Sequence, residues 1–181
     1  GPIQRSDFSL NGQDSLLYEG ELMQVQALVN GNQAVLYGAQ IFGHYRFNNA
    51  FRVEGNYNYQ TGETSDGQSI RHIAPSFGVV HLIYLANKVK LDFYTRFNGE
   101  LSSAQLAPSE RDKTHLYALD QNGNPYSPSW YTLNLKAIYT ISNRLNMSFG
   151  VENLLDTHYR PYSSGISAPG VNAIFSLRSR F

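Results

Sequence analysis

Apolar and polar residues alternate with a period of two over most of this chain, and that period admits β-strands and little else. In FRVEGNYNYQ, residues 51–60, Phe51, Val53, Gly55, Tyr57 and Tyr59 fall on one side, and Arg52, Glu54, Asn56, Asn58 and Gln60 on the other. Upstream, VLYGAQIFGHYRF sets Val35, Tyr37, Ala39, Ile41, Gly43, Tyr45 and Phe47 opposite Gln40, His44 and Arg46, with Leu36 and Phe42 on the wrong side. A turn at Asn48-Asn49-Ala50 would place Phe47 against Phe51 and Tyr45 against Val53, which brings both apolar sets to one face.

The pattern recurs downstream. WYTLNLKAIYTI gathers Tyr131, Leu133, Leu135, Ala137, Tyr139 and Ile141, RLNMSFGVEN gathers Leu145, Met147, Phe149 and Val151, and a turn at Ser142-Asn143-Arg144 joins them in phase. KVKLDFYTRFN sets Val89, Leu91, Phe93, Thr95 and Phe97 opposite Lys88, Lys90, Asp92, Arg96 and Asn98, with Tyr94 the exception. Its neighbour FGVVHLIYLA, residues 77–86, is apolar on both faces. The chain ends on VNAIFSLRSRF, where Val171, Ala173, Phe175, Leu177, Ser179 and Phe181 share a side, Asn172, Ser176, Arg178 and Arg180 take the other, and Ile174 is out of place. About seven strands and no helical period predict an all-β, antiparallel up-and-down meander. The connections are tight near 48, 87 and 143 but long at 61–73, 99–129 and 155–169, and short turns at one end with long loops at the other are the habit of outer-membrane barrels.

Composition narrows the functions. The 181 residues suffice for one ordinary domain. Fourteen basic residues balance 14 acidic ones, which removes the electrostatic pull towards nucleic acid. The absence of cysteine excludes disulfides, thiolate metal sites and cysteine nucleophiles. No run of about 18 apolar residues occurs, so a membrane-spanning helix is excluded, but a spanning strand needs only about 9–11 residues and shows lipid on alternate positions. His44, His72, His81, His115 and His158 lack zinc-ligand spacing, and DQNGN at 120–124 lacks the spaced carboxylates of a calcium loop. There is neither a G-x-S-x-G elbow nor a phosphate-binding glycine loop. Glu54, Asp92 and Glu152 stand among basic residues, where ion pairing is the better reading than acid–base catalysis. No enzyme, metal or cofactor is expected.

Alternation does not say whether the apolar face meets a second sheet or lipid, and a soluble sandwich is the plainer alternative. Two features favour lipid. Long polar side chains recur on the opposite face (Arg46, Arg52, Glu54, Asp92, Arg96, Lys136, Glu152 and Arg178), as a wet lumen requires. Tyr131 and Tyr139 lie eight residues apart, roughly 27 Å along a strand and about 20 Å of height after a tilt near 40°, which is the span of a hydrocarbon band between aromatic girdles.

GVENLLDTHYRPYSSGISAPGVNAIFSLRSRF, residues 150–181, resembles the C-terminal signature of TonB-dependent outer-membrane receptors. The matching residues are Glu152-Asn153-Leu154-Leu155-Asp156, Tyr159, Pro169-Gly170 and the final Phe181. NGQDSLLYEGELMQVQALVNGNQAVLYGAQ is similar to the family's turn into a Tyr-Gly strand, and APSERDKTHLYALDQNGNPYSPSWYTLNLKA to a late extracellular loop feeding a strand. The resemblance implies a plug domain followed by a 22-stranded transmembrane barrel, of which this chain supplies roughly the last third. Residues 1–34 are then mostly an extracellular loop or hairpin and 35–181 the strands, with Phe181 as the signal read by the barrel-assembly machinery. The implied function is TonB-energised uptake of a ferric siderophore or another scarce nutrient across the cell outer membrane. Its partners are outer-membrane lipid, the rest of the barrel and plug, and the TonB complex reached through that plug. His115, Tyr117, Tyr126, Trp130 and Tyr131 gather aromatic rings near the expected mouth, as ligand contacts or as rim anchors. A small outer-membrane barrel acting as pore or adhesin, and a soluble β-barrel or sandwich holding an apolar ligand, are the alternatives. A fragment of a large barrel has open edges, so it is expected to need detergent, oligomerise or curl into a smaller closed form.

Overall fold

The computed structural model describes residues 3–31 and 33–180. Its strands are β1 (Ile3–Asp7), β2 (Ser15–Tyr18), β3 (Glu21–Gln24), β4 (Gln26–Asn30), β5 (Ala34–Arg46), β6 (Phe51–Thr64) and β7 (Phe77–Ala86). They continue with β8 (Val89–Asn98), β9 (Ala118–Leu119), β10 (Pro125–Tyr126), β11 (Trp130–Ser142), β12 (Leu145–Glu152) and β13 (Asn172–Ser179). A 3-10 turn at Ser103–Gln105 and one helical turn, α1 (Pro108–Arg111), interrupt the longest loop. Pro108 opens α1, where its missing N–H costs nothing.

The main sheet is a seven-stranded antiparallel meander in the order β13-β12-β11-β8-β7-β6-β5. It is open: β5 and β13 lie at opposite edges and do not pair with each other. Tyr45 stands opposite Val53, and the Phe47 amide donates to the Phe51 carbonyl at 3.0 Å, which fixes the first turn in the phase that the alternation demands. Between β11 and β12, Tyr139 meets Met147 and Ala137 meets Phe149. The strand runs through Ser142, which pairs with Leu145, so the turn is shorter than the three residues expected and a bulge takes up the slack. β6 reaches Thr64, beyond the alternating stretch read at 51–60, because β5 pairs with it as far as Ala34.

Register carries the two faces across the whole sheet. Arg46 lies opposite Arg52, Arg52 opposite Ile83, Ile83 opposite Asp92, Asp92 opposite Lys136, Lys136 opposite Gly150 and Gly150 opposite Ile174. All eight polar residues singled out from the sequence share that side, including Glu54, Arg96, Glu152 and Arg178. The ambiguous strand β7 resolves in the same way, with His81 and Ile83 on the polar face and Val80, Leu82 and Tyr84 on the apolar one.

The apolar face is uncovered. Val35, Tyr37, Ile41, Tyr45, Phe149, Phe175 and Leu177 each leave half or more of their surface free, and Leu135 leaves 40 %. A soluble sandwich would hide these side chains against a second layer; here no layer faces them. The buried apolar core among the described residues is Ile83, Leu106, Ala107 and Tyr117, three of which belong to the long loop between β8 and β11. The residues that broke the alternation have local reasons. Tyr94 stacks on His81 with ring centroids 5.1 Å apart and donates its hydroxyl to Glu152 at 3.0 Å, while Ile174 sits opposite Gly150, where no side chain competes for space.

Residues 3–30 form a nested hairpin. β1 pairs with β4 and encloses the β2–β3 hairpin, which turns at Glu19-Gly20, both at positive φ. Phe181 lies outside the described residues.

Candidate functional site

All three long loops, residues 65–76, 99–129 and 153–171, leave the same end of the main sheet, opposite the short turns at 47–50, 87–88 and 143–144. They are tied together at one carboxylate. Glu110, in α1, has no exposed surface, and a carboxylate in that position needs charged or hydrogen-bonding partners. Lys113 from the same loop donates Nζ to its Oε1 at 2.8 Å, and Arg71 from the first loop donates Nε to the same oxygen. Tyr117 donates its hydroxyl to Oε2 at 2.6 Å, and the Ser163 hydroxyl of the third loop reaches that oxygen at 3.4 Å. Burial pushes the Glu110 carboxyl up, but hydrogen bonds from Lys113, Tyr117 and Arg71 outweigh it and hold the group at about 2. The Tyr117 phenol is raised by burial and by donating to that carboxylate, so it stays a donor. Two further contacts join the second and third loops: Arg160 Nη1 donates to the His115 carbonyl at 3.1 Å, and the Tyr117 and Tyr162 rings lie 6.3 Å apart.

The loop strands are anchored by the residues of the C-terminal signature. Asn153, buried and at φ 53°, donates Nδ2 to the Thr157 and Pro169 carbonyls at 3.0 and 3.1 Å and accepts the Thr157 amide at 2.9 Å. Its own amide donates to Asn134 Oδ1 at 2.9 Å. Asp156 Oδ1 accepts the Val171 amide at 3.1 Å, and a Cβ at Gly170 would come within 2.4 Å of that oxygen, so a larger residue there would have to displace the carboxylate from its bond. Asn153, Asp156 and Gly170 thus shape the last loop.

Beside the Glu110 cluster, between the second and third loops, lies a cleft of about 340 Å³ lined by Tyr117, Ser127, Trp130, Thr157, Tyr159 and Arg160 among others. Trp130, the single tryptophan of the chain, stacks on Tyr159 with centroids 4.0 Å apart and planes inclined by 27°. Its indole Nε1 is buried and has no hydrogen-bond partner among the described residues. Of the aromatic candidates, Tyr117 and Trp130 line the cleft. His115 is exposed and contributes its carbonyl to Arg160, Tyr126 pairs with Ala118 in the β9–β10 ribbon, and Tyr131 points to the apolar face. Tyr159, Arg160 and Glu110 were missed as site residues, although Tyr159 belongs to the signature and the SERDK run at 109–113 concentrates charge in the longest loop.

On the polar face, His81 Nδ1 and Asp92 Oδ1 lie 2.9 Å apart and Arg52 Nε lies 3.5 Å from Glu54 Oε2, while Arg46, Arg96, Lys136 and Arg178 are exposed. No cluster of three or more His, Cys, Asp or Glu side chains suited to a metal ion occurs among the described residues. In DQNGN, Asp120 accepts the amides of Asn122 and Asn124, both at 2.8 Å, and closes a tight polar turn.

Neither a protein-family model nor a curated protein matches the sequence. Solved structures do match the fold. A mutant of the ferric enterobactin receptor PfeA from Pseudomonas aeruginosa superposes with a TM-score of 0.69 over 99 % of this chain at 15 % identity. The fold is that of the barrel wall of TonB-dependent outer-membrane receptors. The copper transporter OprC matches over 88 % of the chain with a TM-score of 0.68 at 16 % identity. The ferripyoverdine receptor of the outer membrane of Pseudomonas aeruginosa matches over 81 % with 0.56, also at 16 % identity. The chain spans 27 %, 24 % and 19 % of those three structures. These neighbours are a copper transporter and two receptors, for ferric enterobactin and ferripyoverdine.

Proposed function

We infer that this chain forms the C-terminal wall of a TonB-dependent import receptor in the cell outer membrane, within a 22-stranded barrel closed around a plug that lies outside residues 1–181. The observation that carries this reading is the single-layer meander whose apolar face stays uncovered from β5 to β13, because such a face calls for an apolar surrounding, as the hydrocarbon core of a bilayer provides. On this reading the long-loop end faces outward, the cleft beside Trp130 is part of the mouth, and the polar face lines the lumen. Energised uptake of a ferric siderophore or another scarce nutrient is the function that fits, with TonB reached through the plug and the barrel-assembly machinery reading Phe181.

The test is fractionation and transport with the full-length gene product. It should sediment with outer membranes, resist extraction by salt and run as a heat-modifiable band. A strain deleted for it should lose uptake of one scarce metal complex or nutrient, and the same ligand should change the fluorescence of Trp130. Recovery as a monodisperse protein in detergent-free buffer would overturn the assignment.

A further inference from the structure

The cleft beside Trp130 carries a charge that nothing in its wall balances. None of the residues lining it is Asp or Glu, and Arg160 is the single Lys or Arg among them. Arg160 donates to the His115 carbonyl but pairs with no carboxylate among the described residues, and Glu110 next door is already outnumbered by Arg71 and Lys113. The cleft is therefore electropositive. Ser127 supplies a second, independent observation. Its backbone N–H and C=O are both paired with Leu101, only 6 % of its surface is exposed, and it lines the cleft with a hydroxyl that has no hydrogen-bond partner among the described residues. A buried hydroxyl left in that state is costly. The hydroxyls of Ser129 and Thr157, in the same wall, also lack partners among the described residues.

We propose that this cleft binds a sugar acid, a hydroxylated ring of about monosaccharide size that carries a carboxylate. The carboxylate takes the planar guanidinium of Arg160. The ring hydroxyls take those of Ser127, Ser129 and Thr157, which can both donate and accept, and the C–H face of the ring packs against the Trp130–Tyr159 pair. The volume of about 340 Å³ lies at the small end of ligand clefts and suits a ligand of that size. A flat aromatic acid would satisfy Arg160 and Trp130 but leave the three aliphatic hydroxyls unpaired. A neutral sugar would satisfy the hydroxyls but leave the cation uncompensated. The proposal names a ligand class for the receptor reading and rests on it in one respect, that the cleft opens outward, where such a solute arrives.

The experiment is calorimetric titration of the full-length protein in detergent with D-glucuronate, D-glucose and benzoate. Glucuronate should bind at least about tenfold more tightly than glucose, which lacks the carboxylate, or benzoate, which lacks the hydroxyls. Ser127→Ala deletes a single hydroxyl and should weaken glucuronate about three- to tenfold. Arg160→Gln should weaken it at least about tenfold, to the level of glucose, and Arg160→Lys, which keeps the charge, should retain more of the affinity. Where Arg160→Gln fails to give a heat-modifiable band, because the His115 contact is lost with it, Ser127→Ala decides. Methyl glucuronide presents the acid as it stands at the end of a glycan: a match with the free acid supports the proposal with a glycan terminus as ligand, and its exclusion supports it with the free solute. No binding of glucuronate, equal affinity for glucose, tighter binding of benzoate, or an affinity indifferent to both Ser127→Ala and Arg160→Gln overturns the proposal. With the protein verified in the outer membrane, those results leave the receptor reading standing; absence from that membrane defeats the receptor reading whatever the titration gives.

Discussion

The two ends of the sheet handle charge in opposite ways. At the long-loop end, Arg71 and Lys113 converge on a carboxylate with no exposed surface, and Tyr117 and Ser163 complete its hydrogen bonds. At the short-turn end, Arg46 and Arg52 face each other with Glu54 alone beside them, one-third exposed and poorly aligned. The first end closes upon itself; the second does not. Long loops have the reach to wrap a buried ion with donors from several directions, while a turn of two to four residues leaves its side chains where the ladder puts them.

The strongest way to break this contrast is Glu110→Ala. It strands Arg71 and Lys113 beside the former carboxylate and should open the three loops by about 2–3 kcal/mol, less than a fully buried pair would lose because both cations are partly hydrated. Hydrogen exchange should then accelerate in residues 99–129 and 153–171 while the β5–β8 ladder keeps its protection. Acid should have a related but delayed effect. The Glu110 carboxyl is held at about 2 against an ordinary 4.5, and a lowered carboxyl contributes stability that is complete above the ordinary value and is lost as pH falls through the lowered one. Loop protection should therefore persist at pH 5 and decline only between about 4.5 and 2, as exchange measured across that window will report.

Smaller changes sharpen the comparison. Trp130→Tyr should cost about 1 kcal/mol through a weakened stack on Tyr159, raising proteolytic cleavage near residue 159 without altering the Glu110 cluster. Glu54→Gln should cost under about 0.5 kcal/mol in urea titration of the detergent-solubilised protein, since an exposed pair outside hydrogen-bond geometry contributes little. A loss there as large as that of Glu110→Ala would erase the distinction between the ends.

The sheet was legible because a strand prints its two faces on consecutive residues. Tyr45 against Val53 and Tyr139 against Met147 follow from parity once the turns are located, and the doubtful strand 77–86 takes its phase from β6 and β8. The signature at 152–156 and 169–170 could be read as architectural, and Asn153 with Asp156 shows the hydrogen bonds behind it. The loop cluster was not legible. Arg71, Glu110 and Ser163 are separated by 39 and 53 positions and share no period, so nothing in their local sequence announces a common partner. Of the aromatic candidates, Tyr117 and Trp130 line the cleft, while His115 and Tyr126 lie in the same loop without lining it.

The three loops joined at Glu110 connect β6 to β7, β8 to β11 and β12 to β13, whereas the short turns connect the alternate neighbours. The chain is thus cross-bolted at one margin and merely hinged at the other. A nick at Asn87 or Asn143 would sever the polypeptide yet leave the two pieces joined through the Glu110 cluster, so this wall lends itself to being made from two separately synthesised halves.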